Sequence, residues 1–255
     1  MLTSKKRPRD DSTHTEKIKE TDCSTSDPIL THDPWIDLHQ GSFVGYWRNA
    51  LGAETHHLLL ERLLTQVAWQ QRDVNIMGKR IPQPRFVAYF ALNPETQGTY
   101  EYTGLALAPS HMSDIPGLLE LKELAQNFAG LTSEEEQFNS CLVNLYRSGA
   151  DHVGWHTDNE KLYDANPTIA SLSLGTRRSF ILRNKTDHAT KYKFLLGDGD
   201  LLVMKGTVQQ YWQHCIVKMT GKKAAEIGPR INLTFRRVKN PGAAGEVHNN
   251  SKQLS

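Results

Sequence analysis

The residues best placed to do chemistry lie in Trp155-His156-Thr157-Asp158, where a histidine and an aspartate stand two positions apart on a short extended stretch. Alternate residues of an extended chain share a face, so both side chains can point the same way. A second histidine, His214, follows the apolar run Leu201 to Met204 and the segment Gln209-Gln210-Tyr211-Trp212-Gln213, so a two-layered sandwich could bring it against the first pair. Two imidazoles and one carboxylate make a facial triad, which can hold iron(II) and leave adjacent positions open for a chelating cosubstrate and oxygen. With eleven histidines in the chain, the same pattern also fits an ordinary surface pair, and the choice depends on what stands nearby.

The C-terminal run Arg230-Ile231-Asn232-Leu233-Thr234-Phe235-Arg236 is polar at every even position and apolar at every odd one. One face of such a strand buries, and the other carries two guanidiniums. A solvent-facing polar side is the ordinary outcome in an antiparallel sheet. If the polar face points inward instead, each arginine needs an anion, and its forked donors match a carboxylate bidentately. A dicarboxylate would supply two such partners. Asn144 and Tyr146 repeat the pattern just before the HxD pair, with Val143 and Leu145 on the other face.

Elements able to position these groups are legible around them. Leu60, Leu63, Leu64 and Val67 recur at helical spacing, as do Leu118, Leu121, Ala125 and Phe128, with Pro116 expected in the first turn and Gly130 past the end. From Cys141 onward, short apolar or alternating segments at 141–146, 169–174, 178–183, 200–204 and 231–237 are punctuated by Gly, Asn and Asp, the pattern of a β-sandwich. The expectation is an α+β fold, a double-sheet jelly roll (double-stranded β-helix) with helices buttressing one face. Its 255 residues, 38% hydrophobic, suit one catalytic core, assigned to 34–239 with the jelly roll at about 140–238. Residues 1–33 and 240–255 are polar and read as loose tails, and Lys5-Lys6-Arg7-Pro8-Arg9 has the composition of a nuclear-localisation signal or of a solvated basic tail. Three cysteines with no CxxC pair indicate neither a disulfide framework nor a structural zinc, and no apolar run approaches a membrane span. An intracellular monomer is expected, nuclear in a eukaryote. A net charge of +2 leaves any nucleic-acid footprint to local patches.

Asn144-Leu145-Tyr146, Trp155-His156-Thr157-Asp158, the segment Ile169 to Gly175, His214 and the Arg230 to Arg236 strand together resemble the AlkB family of nucleic-acid dealkylases, nearest its second and third human homologues, over roughly residues 80–238. The resemblance implies that His156, Asp158 and His214 bind Fe(II). It also implies that Arg230 and Arg236 hold the carboxylates of 2-oxoglutarate, with Asn144, Tyr146 and Asn232 beside them. The implied reaction consumes O2 and 2-oxoglutarate, with ascorbate as reductant in vitro, and hydroxylates an N-alkyl carbon so that an aldehyde leaves. DNA bearing 1-methyladenine or 3-methylcytosine is the expected substrate; RNA, or a protein or small molecule, is the alternative. The step from His214 to Arg230 is longer than in such relatives, and the extra length is expected in a loop holding Lys218, Lys222 and Lys223.

On the substrate side, Thr99-Tyr100-Glu101-Tyr102-Thr103-Gly104 resembles the family's nucleotide-recognition lid, placed at about 72–106. Tyr102 is the candidate stacking platform for an extruded base, with Tyr100 and Glu160 as polar contacts; the two tyrosines also fit half-buried strand aromatics. Met77 falls where duplex-specific relatives carry a wedge that fills the gap left by a flipped base. Arg72, Lys79, Arg80 and Arg85, with Lys185, Lys191 and Lys193 in a later loop, are candidate phosphate contacts or simply a solvated surface.

Overall fold

The computed structural model describes residues 19–20, 33–52, 56–76, 78–102 and 105–239. The basic run Lys5 to Arg9, nearly all of the expected N-terminal tail, the expected C-terminal tail and Met77 lie outside these residues.

Two facing sheets form the sandwich. The larger has the spatial order Trp35–Asp37, Ser42–Trp47, Leu201–Gly206, Ile169–Gly175, Arg230–Arg236, Ser140–Tyr146, Phe86–Ala91, Ser110–His111. The smaller runs Lys19–Glu20, Lys191–Leu196, Arg178–Asn184, Trp212–Ile216, Val153–His156. From Ser140 onward the strands pair antiparallel with one another and the chain crosses between the layers at every step but Arg178–Asn184 to Lys191–Leu196, which form a hairpin in the smaller sheet; this is the jelly roll expected from the patterning. Two hairpins, Asp73–Ile76 with Lys79–Pro82 and Tyr100–Tyr102 with Leu105–Leu107, precede it in the chain.

The alternation of Arg230–Arg236 decides how the layers stack. Ile231, Leu233 and Phe235 pack with Val143, Leu145, Leu172 and Leu174 under Leu63, Leu118, Leu121 and Ala125 of helices His56–Gln66 and Leu118–Ala129. The even residues therefore face the space between the sheets, and all seven positions are buried. The solvent-facing alternative for this strand does not hold. Between the sheets, Val44, Phe180, Leu182, Phe194, Leu202, Met204 and Trp212 form a second apolar cluster. Full burial of a side chain of this size contributes about 1.5–3 kcal/mol, so these two clusters carry most of the frame that holds the site.

Gly130 ends its helix in the left-handed conformation (φ 65°), as its position past the last apolar residue suggested. Pro116 lies before the helix, whose N-cap is Gly117, and not inside its first turn. Lys191 and Lys193, expected in a loop, belong to the strand Lys191–Leu196; Tyr192, Phe194 and Leu196 supply its inward face, and the lysines take the other. The long step after His214 contains the short helix Lys222–Glu226, not a bare loop. Gly149 donates to the Ala224 carbonyl at 2.8 Å and accepts from Met219 at 2.9 Å. A Cβ on Gly149 would stand 2.9 Å from Ala224 Cα, so this close approach requires glycine.

Candidate active site

His156 ends the strand Val153–His156 and pairs directly with His214 on Trp212–Ile216, bringing the two ring centroids to 4.2 Å. Asp158 lies just beyond the strand, yet its carboxylate oxygens stand 3.8 Å from Nε2 of each histidine. One donor atom from each of the three residues falls within 4.8 Å of the others, the only such group of three among the described residues. Nδ1 of His156 is 2.9 Å from the Gly154 carbonyl and so carries the proton, which leaves Nε2 with its lone pair toward the carboxylate. Burial lowers the affinity of both imidazoles for a proton, taking His214 to about 3 with the neighbouring His156 adding to the effect. Burial would raise the Asp158 carboxyl, but Arg236 above all, and then the two histidines, hold it below the usual carboxylate range. Two neutral imidazoles and an ionised carboxylate converging on one point fit a divalent iron ion.

The second feature is a buried guanidinium without an anion. Arg230 is wholly buried, and only its Nη2 is engaged, with Ser173 Oγ at 2.8 Å and Asn232 Oδ1 at 2.7 Å. Its Nε and Nη1 have no partner, and no carboxylate pairs with it among the described residues. Burial pulls its proton affinity down to about 10, and the Tyr146 ring lies 5.3 Å from its carbon. Such a cation is costly unless an acceptor of opposite charge arrives, so the site fits one carboxylate of a dicarboxylic acid. Arg236 differs: its Nη2 already meets Asp158 at 2.7 Å and its Nη1 meets Tyr163 at 3.3 Å, with Nε left over. Ser171, Asn232 and Thr234 extend the polar row between them.

A cavity is lined by the triad, Arg236, Asn232 and Thr234, and also by Asn144, Tyr146, Arg85, Tyr100, Leu142, Phe180, Met204 and Ile216, and Arg230 is linked to it through its bond to Asn232. Tyr100, from the second hairpin, is 3% exposed, rests against Tyr89 with Leu142 and Tyr163 in the same cluster, and donates its hydroxyl to Glu160 at 2.6 Å. The other Glu160 oxygen is buried without a partner, and burial, reinforced by the Asp158 charge, raises that carboxyl above its usual value. Tyr102 belongs to the same strand, Tyr100–Tyr102.

Some expected substrate contacts are arranged otherwise. Arg85 is 8% exposed and donates Nε to Asn144 Oδ1 at 2.9 Å, so it is an interior residue of the cavity and not a rim contact like the exposed Arg72, Lys79 and Arg80. Lys185 is half-buried, with Nζ given to the Gln209 carbonyl at 2.9 Å. Arg178 was not among the candidates; it is 2% exposed and spends its donors on the carbonyls of Ser148, Gly149, Asp151 and Val217, fixing the turn that leads into the His156 strand. A lone arginine opening a strand gives no sequence sign of such a clamp.

A family model described as the 2OG-Fe(II) oxygenase superfamily matches residues 43–236. The chain is 30% identical to the DNA oxidative demethylase ALKBH2 of Arabidopsis thaliana, over 80% of this chain and 68% of that protein. It is 35% identical to the human alpha-ketoglutarate-dependent dioxygenase alkB homolog 3 and 31% identical to human ALKBH2, covering 71% and 65% of this chain and 60% of each relative. Among solved structures, OsALKBH1 matches with a TM-score of 0.52 at 18% identity, over 79% of this chain and all of that one, and shares the fold. With the triad, the unpaired Arg230 and the sandwich already in place, these matches make the chain a member of the AlkB family within the 2OG-Fe(II) oxygenases, a dioxygenase dependent on iron(II) and 2-oxoglutarate.

Proposed function

We propose that this protein oxidatively removes methyl groups from 1-methyladenine and 3-methylcytosine in DNA, reversing the damage directly. The observation that carries the reading is that the His156–Asp158–His214 group and Tyr100, whose hydroxyl is given to Glu160, line one cavity. The demethylase names of its relatives point the same way.

Iron(II) with 2-oxoglutarate and O2 supplies the oxidising power that hydroxylates the N-methyl carbon, after which the hemiaminal loses formaldehyde. The chain's own residues set the conditions. His156 and His214 are held neutral and offer lone pairs, while Arg236 keeps the buried Asp158 ionised. Arg230, with Ser173, Asn232 and Tyr146, receives the distal carboxylate of 2-oxoglutarate, and Asn144 and Arg236 flank its reactive end. Leu142, Phe180, Met204 and Ile216 give the cavity apolar walls, which exclude water from the oxidation.

On the substrate side, Tyr102 stacks on the extruded base and the unpartnered Glu160 oxygen accepts from its exocyclic amine. A methyl group on the pairing edge weakens the pair, so flipping a damaged base costs less than flipping an intact one. Mass spectrometry of single-stranded and duplex DNA oligonucleotides bearing either lesion, incubated with iron(II), 2-oxoglutarate and ascorbate, tests the reading. Loss of a methyl mass that requires both iron and 2-oxoglutarate is the expected result. Demethylation confined to matched RNA, or succinate formation with no oligonucleotide demethylated, would overturn DNA as the substrate.

A further inference from the structure

Asp158 presents a structural problem that its two histidine partners do not. His156 and His214 belong to strands paired with each other, so the sheet fixes their backbones. Asp158 stands two residues beyond the end of Val153–His156, where the ladder no longer reaches its N–H. It is nevertheless 3% exposed, and a buried N–H without an acceptor is rare in folded proteins.

The acceptor is a side chain. Oε1 of Gln209 takes the Asp158 N–H at 2.9 Å, and Gln209 is itself 2% exposed. Its Nε2 is directed to Met204 Sδ at 3.5 Å, and its backbone carbonyl accepts from Lys185 Nζ at 2.9 Å, so both the amide and the main chain are held. Since a backbone N–H can only donate, the oxygen of the amide must be the atom facing Asp158. Gln209 lies on the short helix Val208–Tyr211, which runs directly into the strand Trp212–Ile216 carrying His214. One buried amide thus connects the segment bearing the carboxylate to the element bearing the third donor.

We propose that Gln209 is a positioning residue for the metal site: it fixes the Asp158 backbone relative to His214, while Arg236 orients the carboxylate from the other side. The proposal rests on the reading that His156, Asp158 and His214 hold the metal. Groups that orient metal ligands typically change metal affinity by roughly 10- to 100-fold when removed.

The test is titration of the metal-free full chain with manganese(II), read by paramagnetic resonance of the free ion, alongside thermal unfolding of the metal-free protein. Gln209→Met keeps the volume and removes the acceptor; Gln209→Glu keeps an acceptor oxygen. The expected result is that Gln209→Met weakens manganese binding about tenfold or more, whereas Gln209→Glu binds like the parent. Unchanged affinity in Gln209→Met, with or without a fall in thermal stability, would overturn the proposal, as would equal weakening in both variants. His156→Ala separates the underlying reading, because loss of binding there alongside normal binding in Gln209→Met rejects the positioning role alone. Parent-like binding in His156→Ala rejects the triad itself and the proposal with it.

Discussion

The two arginines of the strand Arg230–Arg236 share one face and one degree of burial but live in opposite electrical situations. Arg236 is neutralised inside the protein by Asp158, and its guanidinium is held charged well above the ordinary range against the cost of burial by that carboxylate and the phenols around it. Arg230 has no anion among the described residues, and burial lowers its proton affinity. A buried ion pair broken on one side leaves an uncompensated charge, whereas a buried charge that was never paired can be replaced by an apolar side chain at no loss. One arginine of the strand is thus balanced by the protein's own carboxylate, and the other is left without an anion among the described residues.

The largest effects separate the triad's members. His156→Ala and Asp158→Ala should both abolish demethylation, but only the second should also cost stability. Removing Asp158 strands Arg236, at about 3–5 kcal/mol, while His156 has one hydrogen bond to a carbonyl, a ring contact with His214 and an edge-strand position. Denaturant unfolding of the metal-free variants checks this. Equal midpoints for the two would show that the Arg236–Asp158 pair contributes nothing to the fold.

Next in size is the other arginine. Arg230→Met should raise the 2-oxoglutarate requirement severely or eliminate turnover, yet leave the metal-free protein as stable as before or more so. Isothermal titration with 2-oxoglutarate and a melting curve read the two halves separately. A variant that lost stability as Asp158→Ala does would remove the contrast, and one impaired only in nucleic-acid binding would place the cosubstrate elsewhere.

A smaller effect is expected from Tyr100→Phe, which deletes the hydroxyl given to Glu160 but keeps the ring on Tyr89. Loss of a hydrogen bond to a carboxyl group, worth about 1.5–3 kcal/mol, should raise KM for a methylated oligonucleotide by roughly tenfold or more and leave KM for 2-oxoglutarate unchanged. If both constants moved together, Glu160 would be acting on the metal end of the cavity and not on the base.

The HxD pair and the polar face of Arg230 to Arg236 were legible in the sequence because they follow simple periodicities. HxD and the alternation of Arg230 to Arg236 are two-residue repeats, and a jelly roll turns such repeats into a shared interior face. Where side chains reach across the fold, the reading failed. Arg85 looked like one more surface cation in a basic stretch, and only the position of Asn144, 59 residues on, draws it inside. Lys191 and Lys193 made a strand look like a loop, since a jelly-roll strand can face solvent on one side and tolerate lysines there. Gln209 and Arg178 act through backbone groups, which carry no residue identity, so their partners leave no trace in the pattern.

The smallest expected effect contrasts the braced interior with the exposed strand Lys79–Pro82. All four residues of Lys79–Pro82 are exposed, so Lys79 and Arg80 can be replaced by alanine without disturbing the core. If they meet phosphates, each contributes a salt-dependent and sequence-independent share of binding, and each removed contact reduces the slope of log affinity against log salt by about 1. The double variant Lys79→Ala, Arg80→Ala should therefore bind methylated and unmethylated oligonucleotides equally more weakly at low salt, converge on the parent at high salt, and keep the parent's 2-oxoglutarate affinity. Fluorescence anisotropy across a salt series measures the slope. An unchanged slope would make this strand a solvated surface and move the phosphate contacts to other residues, whereas weakening confined to the methylated oligonucleotide would mean that these cations read the base and do not hold the backbone.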